Sequence, residues 1–433
     1  MFRDHELRIS EENRRMRTSI RLLYVALFSF TTMTATAVAA DWPQFRGPGG
    51  QGIAEDADPP VKWSETENVA WKTAIHGRGW SSPVVLDKQI WMTTAEEDGS
   101  RMYVVCVDRE SGKIVHDVTL FRDIVVTQEM NSLNSFASPT PVVEQGRVYV
   151  NFGTYGTACL DTTTAKPVWV RRDIHCDHFR GPGSSPILFG DLLIFNMDGI
   201  DVQYVIALDK RTGKTAWKSD RTTDFGELVG DMRKAYSTPL VTEVDGRKQL
   251  INPGAQAVIA YDPATGKDIW SVRYPGGFSN VSRPLVDDGL VYVTAGFGKS
   301  GLLAIRLGGA GDVTDSHVAW RYDKSVSMKP SPMLIDGLLY MTSDSGIATC
   351  LDASNGELVW KERIGGKFSA SPVAAGGRIY FSDHDGKTTV IGAGHKYEPL
   401  ATNTLDSGCM ASPAVVGETM FLRTKTHLYR IEE

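Results

Sequence analysis

Positively charged and aromatic side chains stand within a few positions of prolines that recur along the chain. An Arg guanidinium can donate two hydrogen bonds to a carboxylate or phosphate, and an aromatic ring offers a stacking surface. If the fold brings these residues together, they predict a site for an anionic, flat or sugar-like ligand, or for an acidic loop of a partner protein. The candidate ligand-binding residues are Arg78, Trp80, Phe136, Arg180, Tyr236, Arg283, Lys329 and Lys367.

A structural interpretation of the same residues stays open beside this one. Their side chains could point into solvent or pair with acidic residues of nearby loops. Two of these loops, residues 122–136 and 218–236, are long, and long loops on a rigid scaffold often carry binding sites. The acidic candidates are Asp177, Asp224, Glu227 and Asp231.

Motifs for metal binding or covalent catalysis are few. Residues 175–178 (His-Cys-Asp-His) have side chains that suit Zn²⁺ or Cu²⁺, but four adjacent residues do not easily converge on one ion. Residues 383–386 (Asp-His-Asp-Gly) lack the length and ligand pattern of an EF-hand loop and fit a hairpin turn. The chain has no nucleophile elbow, no His-Glu-x-x-His sequence and no phosphate-binding loop. No catalytic residue and no metal ligand is therefore assigned, and enzymatic activity is left open, with binding preferred.

The elements that must position these residues follow from an internal repeat. A proline preceded by Ser, Thr or Arg begins each unit, and successive prolines are 40 to 58 residues apart. An apolar run, a tight turn and further β-rich runs follow, which fits four short antiparallel strands, A to D, joined by hairpins. The eight prolines are Pro83, Pro141, Pro186, Pro239, Pro284, Pro332, Pro372 and Pro413.

The turn before strand D has the most regular sequence. Its Asp can bond the turn amides, its Gly can adopt positive φ, and a Trp follows on strand D. A large flat ring at this position can pack against the next unit, so these tryptophans are predicted to dock neighbouring units. The structural docking residues are Trp71, Trp169, Trp217, Trp270, Trp320 and Trp360.

The two ends of the chain complement one another. The unit that begins at Pro413 ends at Glu433 after three strands, and residues 68–72 (Asn-Val-Ala-Trp-Lys) have the pattern of a fourth strand with its Trp. Joining them completes an eighth unit and removes a free sheet edge. The sequence thus predicts an all-β, eight-bladed β-propeller of four-stranded antiparallel blades over residues 68–433, closed by its N-terminal strand.

The repeated Ala-x-Asp-x-x-Thr-Gly-Lys-x-x-Trp segments at 207–217 and 260–270 resemble the tryptophan-docking motifs of quinoprotein-type, eight-bladed propellers with PQQ-like repeats. The similarity covers residues 68–433. With Trp-Pro-Gln-Phe-Arg-Gly-Pro-Gly-Gly at 42–50, the chain is most similar to secreted, single-domain bacterial proteins with PQQ-like repeats. The family includes PQQ-dependent dehydrogenases, an outer-membrane assembly lipoprotein and sensor domains of kinases, so the resemblance implies a fold more firmly than a function.

The resemblance also implies what a dehydrogenase of this family would need. Those enzymes use a stacked quinone and a Ca²⁺ ion held by Asn, Asp and Glu, and many have a disulfide between adjacent Cys. This chain has no adjacent Cys pair and no Cys-x-x-Cys-His haem motif, and no ligand trio can be assigned. PQQ with calcium stays open as the cofactor of that alternative, and no cofactor is predicted otherwise.

Residues 1–40 have the pattern of a secretory signal peptide, with basic residues, an apolar run at 22–30 and a small-x-small cleavage signal at 37–39. A membrane anchor is the alternative, but four Thr interrupt residues 31–40. Residues 41–67 would form an N-terminal extension. The five Cys are an odd number for an exported protein, and a disulfide between Cys176 and Cys409 stays open. We expect a periplasmic or secreted protein without a stable membrane anchor.

These observations favour binding over catalysis. A net charge of −6 argues against nucleic-acid binding, which needs clustered Lys and Arg. Alternating strand directions place the D-to-A and B-to-C connections on one face, where the candidate residues would surround the channel mouth. We expect a monomeric, non-catalytic binding or scaffold propeller that engages a protein partner or an anionic ligand at this face. A PQQ-dependent dehydrogenase and a carbohydrate-binding propeller are the alternatives.

Overall fold

A computed structural model describes residues 41–126, 130–299 and 301–433. The signal peptide predicted for residues 1–40 lies outside these ranges. The described chain is a β-propeller of eight four-stranded antiparallel blades. Its one α-helix, α1 (Thr314–His317), is short, and none of the described helices has the length and hydropathy needed to cross a bilayer.

Strands β1 to β36 follow one another along the chain. Before the first complete blade lie β1 (Ile53–Ala54) and β2 (Val69–Ala74). Blade 1 contains β3 (Val84–Leu86), β4 (Gln89–Ala95), β5 (Met102–Asp108) and β6 (Ile114–Phe121), and blade 2 contains β7 (Val142–Glu144), β8 (Arg147–Asn151), β9 (Thr157–Asp161) and β10 (Pro167–Arg171). Blade 3 contains β11 (Ile187–Phe189), β12 (Leu192–Asp198), β13 (Gln203–Asp209) and β14 (Thr215–Asp220), and blade 4 contains β15 (Leu240–Val244), β16 (Arg247–Pro253), β17 (Ala257–Tyr261) and β18 (Asp268–Arg273).

The second half of the propeller continues the pattern with three small additions. Strand β19 (Gly277–Phe278) pairs with β22 (Phe297–Gly298), and β24 (Gly311–Asp312) adds parallel to β18. Blade 5 contains β20 (Leu285–Asp287), β21 (Leu290–Thr294), β23 (Leu302–Arg306) and β25 (Val318–Tyr322), and blade 6 contains β26 (Met333–Ile335), β27 (Leu338–Thr342), β28 (Ile347–Asp352) and β29 (Leu358–Arg363). Blade 7 contains β30 (Val373–Ala375), β31 (Arg378–Ser382), β32 (Lys387–Gly392) and β33 (Glu398–Thr404), and blade 8 contains β34 (Ala414–Val416), β35 (Thr419–Arg423), β36 (His427–Ile431) and β2.

The predicted closure of the ring is confirmed. Strand β2 pairs antiparallel with β36, and Trp71 lies opposite Arg430. Strand β2 is therefore the outer strand of blade 8, as the missing fourth strand of the last repeat required. The all-β, eight-bladed architecture predicted from the repeat is likewise confirmed.

Apolar side chains of neighbouring blades pack against one another to form the core. Between blades 3 and 4, for example, Ile194 and Val205 share a buried cluster with Leu250 and Ile259. All five cysteines are buried and free, so Cys176 and Cys409 form no disulfide. Three of the five, Cys106, Cys159 and Cys350, lie on the third strand of their blades and act as small apolar core residues.

At five of the six predicted docking positions, the indole N–H donates a hydrogen bond to a backbone carbonyl of the next blade. The donors and acceptors are Trp71 and Arg109, Trp169 and Lys210, Trp217 and Pro263, Trp320 and Ala353, and Trp360 and Gly394, at 2.9–3.2 Å. The exception, Trp270, donates to Gln249 Oε1 in its own blade at 2.8 Å. The next blade has a longer C-to-D connection there, whose strand β24 pairs with β18 beside Trp270.

A second set of inter-blade bonds surrounds the channel axis. The residue before the repeat proline donates its backbone N–H to the Ser or Thr hydroxyl oxygen at the same position of the next blade, at 2.9–3.0 Å. We call these Ser and Thr residues the hydroxyl belt. The bonds run from Ser82 to Thr140, Thr140 to Ser185, Ser185 to Thr238, Arg283 to Ser331, Ser331 to Ser371, Ser371 to Ser412 and Ser412 to Ser82.

The segment before β2 crosses the channel alongside the inner strands. Trp42 exchanges two backbone hydrogen bonds with Val85 of β3, at 2.8 and 2.9 Å, and β1 pairs parallel with β30 on blade 7. Between these two attachments, the buried Arg46 donates to four backbone carbonyls, two in its own segment and two at Ser331 and Pro332 of blade 6. The segment therefore ties inner strands of separate blades to one another.

Four docking tryptophans lie against a glycine of the facing turn, where a Cβ would overlap the ring; they are Trp71, Trp169, Trp217 and Trp320. Two substitutions separate this steric role of the glycine from its backbone conformation. Gly266 and Gly246 have φ near +73° and +74°, but a Cβ at Gly266 would overlap the Trp217 ring, whereas a Cβ at Gly246 would meet nothing within 4 Å. We predict that Gly246→Ala lowers the free energy of unfolding by about 1 kcal/mol, and that Gly266→Ala lowers it by about 2 kcal/mol more. Urea denaturation measures both, and equal losses would contradict the docking role of the ring.

The arginine of the N-terminal segment is predicted to contribute strongly to stability. Arg46→Ala would leave four carbonyls without their donor and should lower the free energy of unfolding by about 3 kcal/mol. Arg46→Lys should not restore it, because an ammonium lacks the planar fork. Arg211, 69% exposed beside Asp191, is the control, and Arg211→Ala should change stability by less than about 0.5 kcal/mol. If Arg46→Ala lowers the free energy of unfolding no more than this control does, Arg46 does not hold the N-terminal segment to blade 6.

Candidate functional site

A cavity of ≈ 420 Å³ lies at the channel mouth, among the D-to-A connections and the inner ends of the blades. We call it the cup. Six belt hydroxyls and Phe45, from the segment that crosses the channel, lie at its base. Aromatic side chains of Trp80, Tyr236, Phe278 and Phe297 line it with several polar groups. The polar residues besides the belt include Asn131, Asn134, Arg180, Asp231 and Lys329.

The structure brings four of the eight candidate residues together in the cup. These are Trp80, Arg180, Tyr236 and Lys329. Arg78 lies beside them, with its guanidinium over the Trp80 ring, but donates its hydrogen bonds to the carbonyls of Ser132 and Asn134 at 2.7 and 3.0 Å. Arg78 therefore supports the loop that carries Asn134.

The other three candidates lie away from the cup. Phe136 is 4% exposed and packs edge-to-face against Tyr155 in the core between blades 1 and 2. Arg283 is 3% exposed and donates to the backbone carbonyl of Phe45 at 2.6 Å, which directs it into the channel. Lys367 lines a separate cavity of ≈ 370 Å³ beside blade 6.

Each cation that lines the cup has a carboxylate partner. Arg180 Nε donates to Asp231 Oδ2 at 2.8 Å, and Lys329 Nζ lies 3.1 Å from Asp344 Oδ2. Of the loop acids proposed as partners, Asp231 pairs with Arg180, whereas Asp344, the partner of Lys329, lies outside that set. The two cations of the cup lining are thus paired with carboxylates, and the cup wall is aromatic and polar rather than strongly cationic.

Three further guanidiniums are buried around the channel without carboxylate partners among the described residues. Burial lowers the pKa of Arg46, Arg283 and Arg423 to about 9, and for Arg46 the charge of Arg283 adds to the effect. Their hydrogen-bond acceptors are backbone carbonyls and, for Arg423, the Ser81 hydroxyl. Sequence reasoning assigned no role to Arg46 or Arg423.

A buried Lys–His contact lies behind the cup on blade 3. The Lys234 Nζ is 3.3 Å from His178 Nδ1, and the His178 Nε2 accepts the backbone N–H of Thr154 at 3.1 Å. Burial lowers the pKa of His178 well below its usual range, so the ring is neutral. Burial also lowers the pKa of Lys234 to about 8, so this amine loses its proton at a lower pH than an exposed lysine does.

The cup does not fit the metal-dependent quinone chemistry of the dehydrogenases. Its Asn side-chain oxygens already accept hydrogen bonds, from Leu133 N–H for Asn131 and from Ser135 and Ser138 for Asn134. Its one carboxylate, Asp231, is paired with Arg180. An Asn, Asp and Glu set for Ca²⁺ is therefore not presented there, and none of the described ranges holds a cluster of three His, Cys, Asp or Glu with metal-site geometry.

Comparison with known proteins gives a family match over most of the chain. The model of the family described as outer membrane protein assembly factor BamB matches residues 61–203 and 201–433. The outer membrane protein assembly factor BamB of Legionella pneumophila (strain Paris) is 25% identical over 201 residues, which is 44% of this chain and 49% of that protein. A tetrathionate hydrolase of Acidithiobacillus ferrooxidans is 23% identical over 267 residues, 57% of this chain and 50% of the hydrolase. The chain spans about half the length of the curated relatives it matches.

Solved structures share the fold. BamB from Moraxella catarrhalis superposes with a TM-score of 0.59 at 15% identity, over 84% of this chain and 99% of that one. A europium-containing methanol dehydrogenase superposes with a TM-score of 0.64 at 14% identity, over 90% and 89%. At these identities the likeness shows the propeller alone.

The buried amine of Lys234 predicts a pH dependence of stability. Its pKa is about 8 in the folded chain and near 10.5 when exposed, so between these values the unfolded chain binds the extra proton. The contribution of Lys234 to the free energy of unfolding therefore rises with pH across this window, by about 3 kcal/mol. We predict that the stability difference between Lys234→Met and the wild type favours the variant most below pH 8 and falls toward pH 10.5. Parallel stability curves from denaturant titrations would contradict the lowered pKa of Lys234.

Proposed function

The chain belongs to the family described as outer membrane protein assembly factor BamB, and from this premise we propose that it is an exported, non-catalytic propeller that binds a protein partner. The partner docks on the face of the D-to-A and B-to-C connections. Relatives named as assembly factors support a protein ligand, and the signal-like residues 1–40 support export to the periplasm or beyond.

An apolar patch on this face carries the proposal. Five of the ten large apolar side chains that are well exposed in the described chain lie in D-to-A or B-to-C connections of blades 1 to 3. We call them the docking patch. They are Val125, Leu133, Phe179, Val202 and Val229, exposed by 84%, 44%, 37%, 42% and 68%. Exposed apolar side chains grouped on one face are typical of protein-binding surfaces.

Hydrogen bonds between the loops hold this patch in place. Asn134 Nδ2 donates to the carbonyls of Arg180 and Pro182 at 2.9 and 3.1 Å, which ties the loop of blade 1 to that of blade 2. The Arg180–Asp231 pair ties the loop of blade 2 to that of blade 3. A surface ordered before binding loses less conformational entropy when a partner docks, which favours affinity.

The chemistry of the neighbouring cup also favours binding over catalysis. Its lining includes no His, Cys or Glu among the described residues, and its Arg, Lys and Asp side chains are engaged in ion pairs. The buried Lys234 and His178 face each other and not the cup. A general base next to a nucleophile is therefore not presented to a ligand.

Site-specific photo-cross-linking in the cells that export this chain tests the proposal. A photoreactive amino acid at position 229 or 133 should yield a discrete adduct with a partner protein. Phe179→Asp should reduce the adduct from position 133 by about tenfold, because a charge would be desolvated in the interface. Adducts are detected by immunoblot and identified by mass spectrometry.

Position 358 provides the matched control. Leu358 is 52% exposed but lies on β29, the outer strand of blade 6, away from the docking patch. Adducts of equal yield from position 358, or none from positions 229 and 133, would overturn the proposal.

A further inference from the structure

The cup and the docking patch share one wall. Leu133, which is 44% exposed, belongs to both. Phe179 and Val229 of the patch stand one and two residues before Arg180 and Asp231, which line the cup. A partner that covers the docking patch therefore also lies over one side of the opening of the cup.

Aromatic rings with accessible surface surround the cavity. Five aromatic side chains that line it are half-buried, and they come from four separate parts of the chain: Phe45, Trp80, Tyr236, and Phe278 with Phe297 on the paired strands β19 and β22. Accessible apolar surface gathered in one cavity is typical of a binding pocket, and aromatic rings pack well against a further ring. A cavity of ≈ 420 Å³ has room for one such ring and part of the loop that carries it.

The charges of the lining favour a neutral occupant. Arg180 pairs with Asp231 at 2.8 Å, and Lys329 pairs with Asp344 at 3.1 Å. A charged side chain that entered the cup would lose its hydration among the rings and would have to compete with one of these pairs. A neutral ring enters without either cost.

The base of the cup can bind the polar edge of such a ring. Six belt residues line it, and each hydroxyl oxygen accepts one backbone N–H of the preceding blade. Within the described ranges, no residue accepts a hydrogen bond from these six hydroxyls. A hydroxyl can both donate and accept, so the base suits the phenol of a tyrosine or the indole N–H of a tryptophan.

We propose that the protein partner inserts a tyrosine or tryptophan side chain from one of its loops into the cup when it docks on the patch. This inference rests on the proposed function and adds the chemistry by which the partner is recognised. The docking patch supplies the surrounding contact area. The ring in the cup is the anchor, because buried tyrosines and tryptophans contribute a large share of the binding free energy of protein interfaces.

Photo-cross-linking from inside the cup tests the insertion. p-Benzoylphenylalanine at position 278 or 297 replaces a phenylalanine of the lining by a related ring and should give an adduct with the same partner as position 229. Mass spectrometry should place the cross-link within a few residues of a tyrosine or tryptophan of the partner. Replacement of that partner residue by alanine should lower the adduct yield from position 229 by about tenfold.

Two variants fill the cup from walls outside the docking patch. Val281 precedes blade 5 and Ser369 precedes blade 7, and both line the cavity. Val281→Trp and Ser369→Trp should each lower the adduct yield from position 229 by about tenfold, because the partner's ring loses its place. Ser345→Trp is the matched control, since Ser345 is exposed on the same face but lines the separate cavity of blade 6. It should leave the yield unchanged, and thermal melts establish that all three variants are folded.

The adduct from position 229 separates this inference from docking itself. A wild-type yield from position 229 in folded Val281→Trp and Ser369→Trp would overturn the insertion and leave docking on the patch standing. The same holds if position 229 gives an adduct and positions 278 and 297 give none, or if the cross-link maps to a partner segment without tyrosine or tryptophan. No adduct from position 229 in the otherwise unaltered chain would instead overturn the proposed docking, and the insertion with it.

Discussion

The hydroxyl belt holds the inner strands of neighbouring blades together around the channel. The backbone N–H before each repeat proline lies outside the strand ladders and therefore needs another acceptor. A Ser or Thr at the same position of the next blade supplies that acceptor without filling the channel. The bond from Ser412 to Ser82 joins the last blade to the first and closes the series across the ends of the chain.

The one break in the belt explains how the channel is closed. Arg283 occupies the position where the other blades have Ser or Thr. The backbone N–H of Thr238 therefore has no hydroxyl acceptor at that position of the next blade. The Arg283 side chain instead donates to Phe45, and Gly50 must lack a side chain because a Cβ there would overlap the guanidinium. The crossing segment thus enters where the belt is interrupted, and Phe45 becomes the base of the cup. The replacement of a belt hydroxyl by Arg283 therefore accounts both for the break in the belt and for the position of Phe45 below the cup.

The repeat made the blades predictable, because each unit repeats the same turn chemistry and the same strand pattern. The closure by β2 followed from a count of strands, and the turn-and-Trp pattern located five inter-blade bonds. Trp270 differs because the facing connection is longer and adds β24, which the length of residues 307–317 could have indicated. Where the sequence repeats, local rules and the global fold agree.

The site was less predictable, because a repeat gives strand positions but not side-chain directions in the irregular loops. The Phe136 side chain packs in the core, and Lys367 lines a separate cavity. No periodic sequence pattern distinguishes these two residues from Trp80 and Tyr236, which line the cup. Arg283 did carry a signal, since it replaces a hydroxyl residue before its proline. The crossing segment lies outside the repeat, and its path depends on positive φ at Arg46 and on tertiary contacts with distant blades. Only the three-dimensional structure brings such contacts together.

Hydrogen exchange of the belt amides measures whether the belt holds the inner strands together. We expect the N–H groups of Ser82, Thr140, Ser185, Ser331, Ser371 and Ser412 to exchange only through global unfolding, whereas the N–H of Thr238, which faces Arg283, should exchange faster. Exchange of the belt amides at the rate of the exposed loops, with no difference from Thr238, would contradict it. That result would mean that the inner strands are not held together at the axis and that the cup has no fixed base.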